Sequence, residues 1–544
     1  MLKKLQHNPI IVLLLFVLIM LGFTIHYLPV SIMEARNFIT AREMLTDGNW
    51  LLTTMNGEAR YQKPPLPTWF SAIFALIFGI TKLTALRFPA IIFIALTGIF
   101  AYLLSKQLTK NKLHSSINAL IVVTSFYVIG ITIEAPWDIF THGFMLMGIY
   151  FLFHFFQAQK TSYKHVIIAG IMLGGSILCK GPVSFYALLL PFLIAYGITY
   201  KYKDITKKIP ALVLFLIIGL TIGGWWYLYV RLIDPATFTK VAERETSNWG
   251  SYNVRPFYYY WSFFTQSGIW TIPAFIGLLY PYLKSRVSNL KAYRFSFYWT
   301  IFAVILLSII PEKKSRYLMP VLIPLAINTG FYMEYLFRRF KELKDKRETI
   351  PVYFNFGLIA LIGLAFPFVA YFFLGSNISN HWFSYILTSI IVFTLGIGIV
   401  IQLKKKNFPN VFFFTVLFFA SLFLTGLPLA NALKGSNYNP VSNLKAEADA
   451  EQLPVYWLGY ISPEVIWQFG DKIPSLKTED GSFQLPNTEA FGLLTQKLSP
   501  EDEAFLSSHY NIEFQTFYDL NLADETSKKH NSRLTNDYYI LRKK

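Results

Sequence analysis

Apolar runs of membrane-spanning length set the pattern of this chain. The first covers residues 9–28. Others follow at 88–104, 117–133, 139–156, 166–178, 183–196 and 211–230, then at 261–282, 295–310, 317–336, 352–373, 383–403 and 411–427. A bilayer core is crossed by about 20 apolar residues of helix, so these runs predict a polytopic α-helical membrane protein with about 13 transmembrane helices. Residues 67–80 are apolar too but too few to cross, and a helix lying along the interface is expected there. The first run follows MLKKLQHN and precedes no small-residue cleavage site, which predicts a retained helix with Lys3 and Lys4 in the cytoplasm. Beyond residue 430 the pattern changes. PVYWLGY and NDYYILR read as strands and SPEDEAFLSSHY as a helix, so a transmembrane part, 1–430, precedes a soluble α/β domain, 431–544, outside the membrane.

Within the first part, the loop 31–80 stands out. Ile32, Ala35, Phe38, Ile39, Ala41 and Leu45 form an apolar stripe of one amphipathic helix, with Arg36, Thr40, Glu43 and Asp47 opposite. Ser31 and Glu34 fit a capping box, which is one reading of Glu34; a carboxylate at an active site is the other. Gly48 stops the helix, Asn56-Gly57 makes a turn, and Lys63-Pro64-Pro65 leads stiffly into the interfacial helix.

Composition agrees with the pattern: 54% apolar and 15% charged residues exclude an ordinary soluble protein. The net charge of +18 falls in clusters between apolar runs, which points to topology and anionic membrane lipids and not to nucleic acid. Most basic loops lie an even number of crossings apart, hence on the cytoplasmic side. Arg36, Arg42, Arg60, Lys63, Lys180, Arg231, Arg244, Arg255, Lys313, Lys314 and Arg316 fall on the opposite side, where topology disfavours them and an anionic ligand would favour them. The one cysteine, Cys179, forms no intramolecular disulfide and reads as a buried small side chain.

Chemistry-bearing residues gather at the same outer turns. Glu134 and Asp138 stand four residues apart, as solvated caps or as cavity carboxylates. Lys180 precedes Gly181-Pro182, a tight turn that would hold an ammonium that otherwise snorkels to the interface. Arg255-Pro256-Phe257-Tyr258-Tyr259 reads as an interfacial belt or as a platform for sugar rings. Pro311 to Tyr317 places Lys313, Lys314 and Arg316 together, as a solvated loop or as a phosphate clamp. Walker, HExxH and Cys/His metal patterns are absent from the sequence, so nucleotide-driven pumping and zinc chemistry have no support in it. A lipid or glycan transporter or flippase is the alternative to an enzyme, but no internal repeat supports it.

The run MEARNFITAREMLTDGNWLLTTMNGEARYQKPPLPTWF, with Asp138, Lys180-Gly181-Pro182, Arg255-Pro256-Phe257-Tyr258-Tyr259 and Lys313 to Tyr317, resembles the aminoarabinose and related polyprenyl-phosphate-sugar glycosyltransferases of the GT-C class. The resemblance spans about the first 340 residues. It implies a GT-C fold in the bacterial cytoplasmic membrane, with active site and C-terminal domain facing the periplasm. It also implies inverting transfer of a sugar from a polyprenyl (undecaprenyl) phosphate carrier to a lipid A-like glycolipid, a glycan or a protein. It puts Glu34 and Asp138 in the acidic catalytic positions, and Lys63, Arg255, Lys313, Lys314, Arg316 and Tyr317 around the donor phosphate. Arg36, Glu134, Lys180, Tyr258 and Tyr259 are further candidates. Family members usually have Asp where Glu34 stands. Those with an acidic residue before Lys-Pro and a histidine before Pro-Phe have here Gln62 and no histidine between residues 249 and 256, so no metal or other cofactor is expected.

Overall fold

An apolar run in hydrocarbon must satisfy its backbone internally. In a computed structural model of the chain, which describes residues 7–125, 128–130, 136–435, 437–478 and 480–544, the runs do so as helices. The order is α1 Pro9–Gly22, α2 Ile32–Thr46, α3 Leu66–Phe78, α4 Leu83–Thr109, α5 Lys112–Thr124, α6 Pro136–Gln157, α7 Tyr163–Lys180 and α8 Leu190–Thr199. Then come α9 Ile205–Ile233, α10 Pro235–Ser251, α11 Thr271–Leu278, α12 Leu290–Ile309, α13 Met319–Arg339, α14 Lys346–Leu374, α15 Trp382–Lys404 and α16 Phe408–Ser421.

Among the described residues, nine helices are long and apolar enough to cross a membrane. The other four expected crossings fall on α5, on α8, on a broken stretch through α11 and on α13. The count of thirteen therefore rests on segments that length and apolarity do not qualify. The broken stretch owes its break to Gly268, whose φ of 63° and ψ of −115° interrupt the helical turns.

Burial sorts the helices. Residues 319–336 of α13 are all buried, which makes it an inner helix of the bundle. On α9 and α14 only 28% and 22% of the spanning window is buried; Leu220, Leu228, Leu361 and Phe372 are exposed, an apolar face suited to lipid. Helices α7 and α9 meet through glycines four residues apart. A Cβ on Gly174 would lie 2.5 Å from that of Ile222, and one on Gly223 would lie 2.5 Å from that of Ile177, so each glycine receives the other helix's isoleucine. Gly363 and Gly396 bring α14 and α15 together in the same way, against the Val392 and Ala360 carbonyls.

The first loop is α2, a hairpin of β1 (Thr54–Met55) and β2 (Glu58–Ala59), and α3. At 13 residues α3 is about 20 Å long, short of a bilayer core, and it exposes Leu76, Ile77 and Phe78. The polar side of α2 is not solvated as an amphipathic helix would have it. Thr40, Arg42 and Glu43 are 1%, 7% and 1% exposed, because the hairpin covers Glu43 and the soluble domain covers Arg42.

That domain adds α17 (Leu444–Ala450), β3 (Val455–Leu458), α18 (Pro463–Phe469), β4 (Ala490–Thr495), α19 (Pro500–His509), β5 (Tyr510–Asp519) and β6 (Thr535–Lys543). Its sheet runs β3-β4-β6-β5, parallel at β3/β4 and antiparallel elsewhere. Ile39 of α2 is buried in the same cluster as Val465, Ile466 and Ile473, so the loop and the domain share a core.

Gly223→Val tests the α7–α9 seam. The added methyls meet Ile177, and overpacking of this kind costs about 1–3 kcal/mol. The thermal midpoint in detergent should fall, whereas Gly224→Ala, where a Cβ meets nothing within 4 Å, should leave it nearly unchanged.

Candidate active site

One end of the bundle encloses a cavity of about 1000 Å³ between α2, the hairpin, the start of α6, the end of α7, α10 and the turns around residues 252–260 and 307–317. Its lining carries nine lysine or arginine side chains and four carboxylates. Three carboxylates are matched to lysines: Asp138 to Lys180 at 2.5 Å, Glu245 to Lys63 at 3.4 Å and Glu312 to Lys314 at 2.7 Å. Among the described residues, Arg36, Arg60, Arg244, Arg255 and Arg316 line the cavity without an ion-pair partner, as does the fourth carboxylate, Glu58.

Asp138 lies in the first turn of α6 and is 1% exposed. Its Oδ1 receives the Lys180 ammonium from the end of α7, while Oδ2 has no hydrogen-bond partner among the described residues. One turn on, His142 brings Nε2 to 3.7 Å from Oδ1, and its Nδ1 is 2.9 Å from Ser184 Oγ. The neighbouring Trp137 indole N–H is buried and also unpartnered among the described residues. The Arg60 guanidinium lies over the Trp137 ring at 5.2 Å. Burial, with Arg36 nearby, pushes Arg60 down to about 9, and Glu43 opposes this.

The turns at 252–260 and 307–317 hold each other. Arg255 N–H donates to the Pro311 carbonyl at 3.2 Å, and Lys313 N–H donates to that of Asn253 at 3.1 Å. The Lys313 ammonium is 2.6 Å from the Ile310 carbonyl and 3.0 Å from that of Arg255, and burial lowers its pKa. It staples the turns from the cavity wall, with two of its three donors on these carbonyls. Tyr317 donates to Glu312 at 3.1 Å, and its ring is faced by Lys180, Lys314 and Arg316 at 5.2, 5.6 and 6.0 Å. Burial and Glu312 raise the Tyr317 phenol, so it stays neutral. Tyr259 is in the lining; Tyr258 is 70% exposed and outside it.

Glu34 stands apart from the cavity. It makes the capping box with Ser31 and a two-pronged ion pair with Arg87 at 2.8 Å to each oxygen, with both side chains 2% or less exposed. Arg87 also donates to the Ile25, Leu28 and Pro29 carbonyls at 2.5, 2.9 and 3.1 Å. Burial raises the Glu34 carboxyl, and the Arg87 charge and hydrogen bonds pull it back down. Glu34 is not in the cavity lining, and both its oxygens are engaged; Ile32, Met33 and Arg36 of α2 face the cavity instead. Glu134 lies outside the described residues. Lys63, Arg255, Lys314, Arg316, Arg36 and Lys180 are brought together at the cavity.

His142, Glu312 and Arg87 were missed by sequence reasoning. His142 carried a legible signal, the i,i+4 spacing from Asp138 on one helix face. Arg87 carried none, being 53 residues from Glu34 at the start of an apolar run. Among the described residues, no three His, Cys, Asp or Glu side chains are grouped to hold a metal ion.

A family profile described as dolichyl-phosphate-mannose-protein mannosyltransferase matches residues 62–226. An uncharacterised protein of Aquifex aeolicus is 28% identical over 54% of this chain and 57% of its own length. The undecaprenyl phosphate-alpha-4-amino-4-deoxy-L-arabinose arabinosyl transferase 2 of Proteus mirabilis is 26% identical over 57% of this chain and 56% of its own length. The chain thus matches a little over half the length of these curated relatives. Crystal structures of ArnT from Cupriavidus metallidurans, apo and bound to undecaprenyl phosphate, superpose with TM-scores of 0.66 and 0.62. They cover 99% of this chain and 97% of theirs at 14% and 13% identity, and show that the fold is that of GT-C proteins.

The Glu34 pairing predicts a stability effect. Removing one partner of a buried ion pair costs about 3–5 kcal/mol, so Glu34→Ala should lower the thermal midpoint sharply. Glu34→Ala with Arg87→Leu should recover part of the loss; an unchanged midpoint in the single variant would remove the structural role assigned to Glu34.

Proposed function

We propose that this ArnT- and PMT-like chain of GT-C fold is a polyprenyl-phosphate-sugar glycosyltransferase of the bacterial cytoplasmic membrane, working on its periplasmic side. One observation carries the reading: five arginines without a carboxylate partner among the described residues and a buried Asp138 with an uncommitted oxygen belong to the same cavity. The names of the relatives, which specify undecaprenyl phosphate as carrier, support the donor class.

Breaking the bond from the sugar's anomeric carbon to the carrier phosphate leaves negative charge on the phosphate oxygens. Guanidinium groups match a phosphate with paired N–H donors, and cations preorganised in a partly dry cavity stabilise that charge most in the transition state. Arg36, Arg244, Arg255 and Arg316 supply this, with Lys314 and Lys63 beside them. Asp138, turned by its Oδ1 bond to Lys180, keeps Oδ2 to take the proton of an attacking hydroxyl. Where the acceptor is already anionic, the same oxygen would orient it. One displacement inverts the sugar carbon, and the donor bond supplies the energy. The acceptor is a glycolipid, glycan or protein.

No metal enters this reading. Of the four carboxylates in the lining, Asp138, Glu245 and Glu312 each hold a lysine, and Glu58 holds none among the described residues.

Asp138→Asn keeps the shape and removes the base. Transfer from a polyprenyl-phosphate sugar should fall by about 10²- to 10⁴-fold with the fold retained; full activity in a hydroxyl-acceptor assay would end the role given to Asp138. Activity should also survive excess EDTA. Loss that zinc or magnesium restores would assign a metal to the site.

A further inference from the structure

The hairpin has one side on the cavity and its tip on the soluble domain. Met55, Glu58, Ala59 and Arg60 line the cavity, whereas Asn56 does not. Asn56 instead exchanges two hydrogen bonds with one residue of the domain: Nδ2 donates to the Ile473 carbonyl and Oδ1 accepts from the Ile473 N–H, both at 2.8 Å. A side-chain amide carries the donor and the acceptor on two atoms of one planar group, which matches the N–H and carbonyl of a single residue. Asp47–Lys472 at 2.8 Å and the Arg42 bond to the Asp471 carbonyl at 3.0 Å flank the junction.

A hairpin with two residues in each strand cannot hold its own shape, so whatever it docks on sets it. Asn56 and Gly57 carry φ of 58° and 80°, the left-handed turn that Asn-Gly adopts readily. Glu43 fixes this turn from α2, accepting from Asn56 N–H at 2.6 Å and from Thr54 Oγ1 at 2.5 Å. From the hairpin the contacts continue toward the cavity. The Arg60 N–H and carbonyl bond Thr53 at 2.7 and 2.6 Å, its Nη1 donates to Thr40 at 3.1 Å, and its guanidinium covers Trp137, next to Asp138. Lys63 follows three residues later.

We propose that Asn56 is a positioning residue: through Ile473 the soluble domain sets the hairpin, and the hairpin sets Arg60 and Lys63 against the donor. The inference rests on the glycosyltransferase reading for its kinetic test alone.

The test uses the full chain. Asn56→Gly keeps the left-handed turn and removes both bonds to Ile473, while Asn56→Asp keeps the acceptor only. Donor KM should rise about tenfold in Asn56→Gly, less in Asn56→Asp, with kcat little changed. An unchanged donor KM, or equal loss in kcat with a lowered thermal midpoint, would overturn the positioning role. A second measurement needs no activity. Met55→Cys places a half-buried thiol in the cavity wall, and the native Cys179 is buried. A charged maleimide should label Met55→Cys several-fold faster when Asn56→Gly is added; equal rates would overturn the inference. A wild-type protein that transfers no sugar, with labelling still faster, would overturn the glycosyltransferase reading and leave the positioning standing.

Discussion

The Glu34–Arg87 ion pair is the constraint on which the loop-bearing end of the molecule depends. Taking two charges out of water is repaid only when every donor and acceptor is engaged. Here the guanidinium holds both carboxylate oxygens and the carbonyls of Ile25, Leu28 and Pro29. One side chain thus ties the exit of α1, the first turn of α2 and the second turn of α4. It also fixes the rotation of α2. Two residues along a helix turn it by about 200°, so with Glu34 facing Arg87, Arg36 is directed into the cavity. Glu34 contributes to the site by aiming its neighbour.

The charges of the cavity follow from this fixed wall. Lysines are spent on carboxylates or carbonyls, and arginines are left over. The asymmetry is chemical: an ammonium is a compact charge that one carboxylate satisfies, whereas a guanidinium has five donors and suits a planar or tetrahedral oxyanion. The paired lysines hold Asp138, Glu245 and Glu312 in place, and the unpaired arginines give the cavity its capacity for an anion.

Much of this was legible from the sequence. Cations on the side that topology disfavours pointed to the cavity, although one of them, Arg42, holds the soluble domain instead. Arg36, Lys63, Lys180, Arg255, Lys314 and Arg316 were found that way and do converge. Strands around residues 455–458 and 535–543 were readable from alternation. What could not be read is partnership. Ser31 and Glu34 announce a cap, but Arg87 is invisible until the chain folds. Lys313 looks like its neighbour Lys314, yet the turn geometry gives its ammonium two carbonyls and gives Lys314 a carboxylate. The segment 261–282 reads as one crossing because hydropathy does not register the backbone break at Gly268.

The polar face of α2 is the most instructive case. Amphipathic spacing sets Thr40, Glu43 and Asp47, with Arg36, opposite the apolar stripe, and periodicity cannot tell water from a polar protein surface. In the structure Glu43 meets the hairpin, and Asp47, with Arg42, meets a domain more than 400 residues away in sequence. A loop at the membrane surface has neither hydrocarbon nor a large core of its own to shape it, so its order must come from a partner. The soluble domain supplies that partner, sharing a core with Ile39 and closing the hairpin through Ile473. Its place in the fold is therefore structural to the cavity wall even though the domain contributes no residue to the cavity lining.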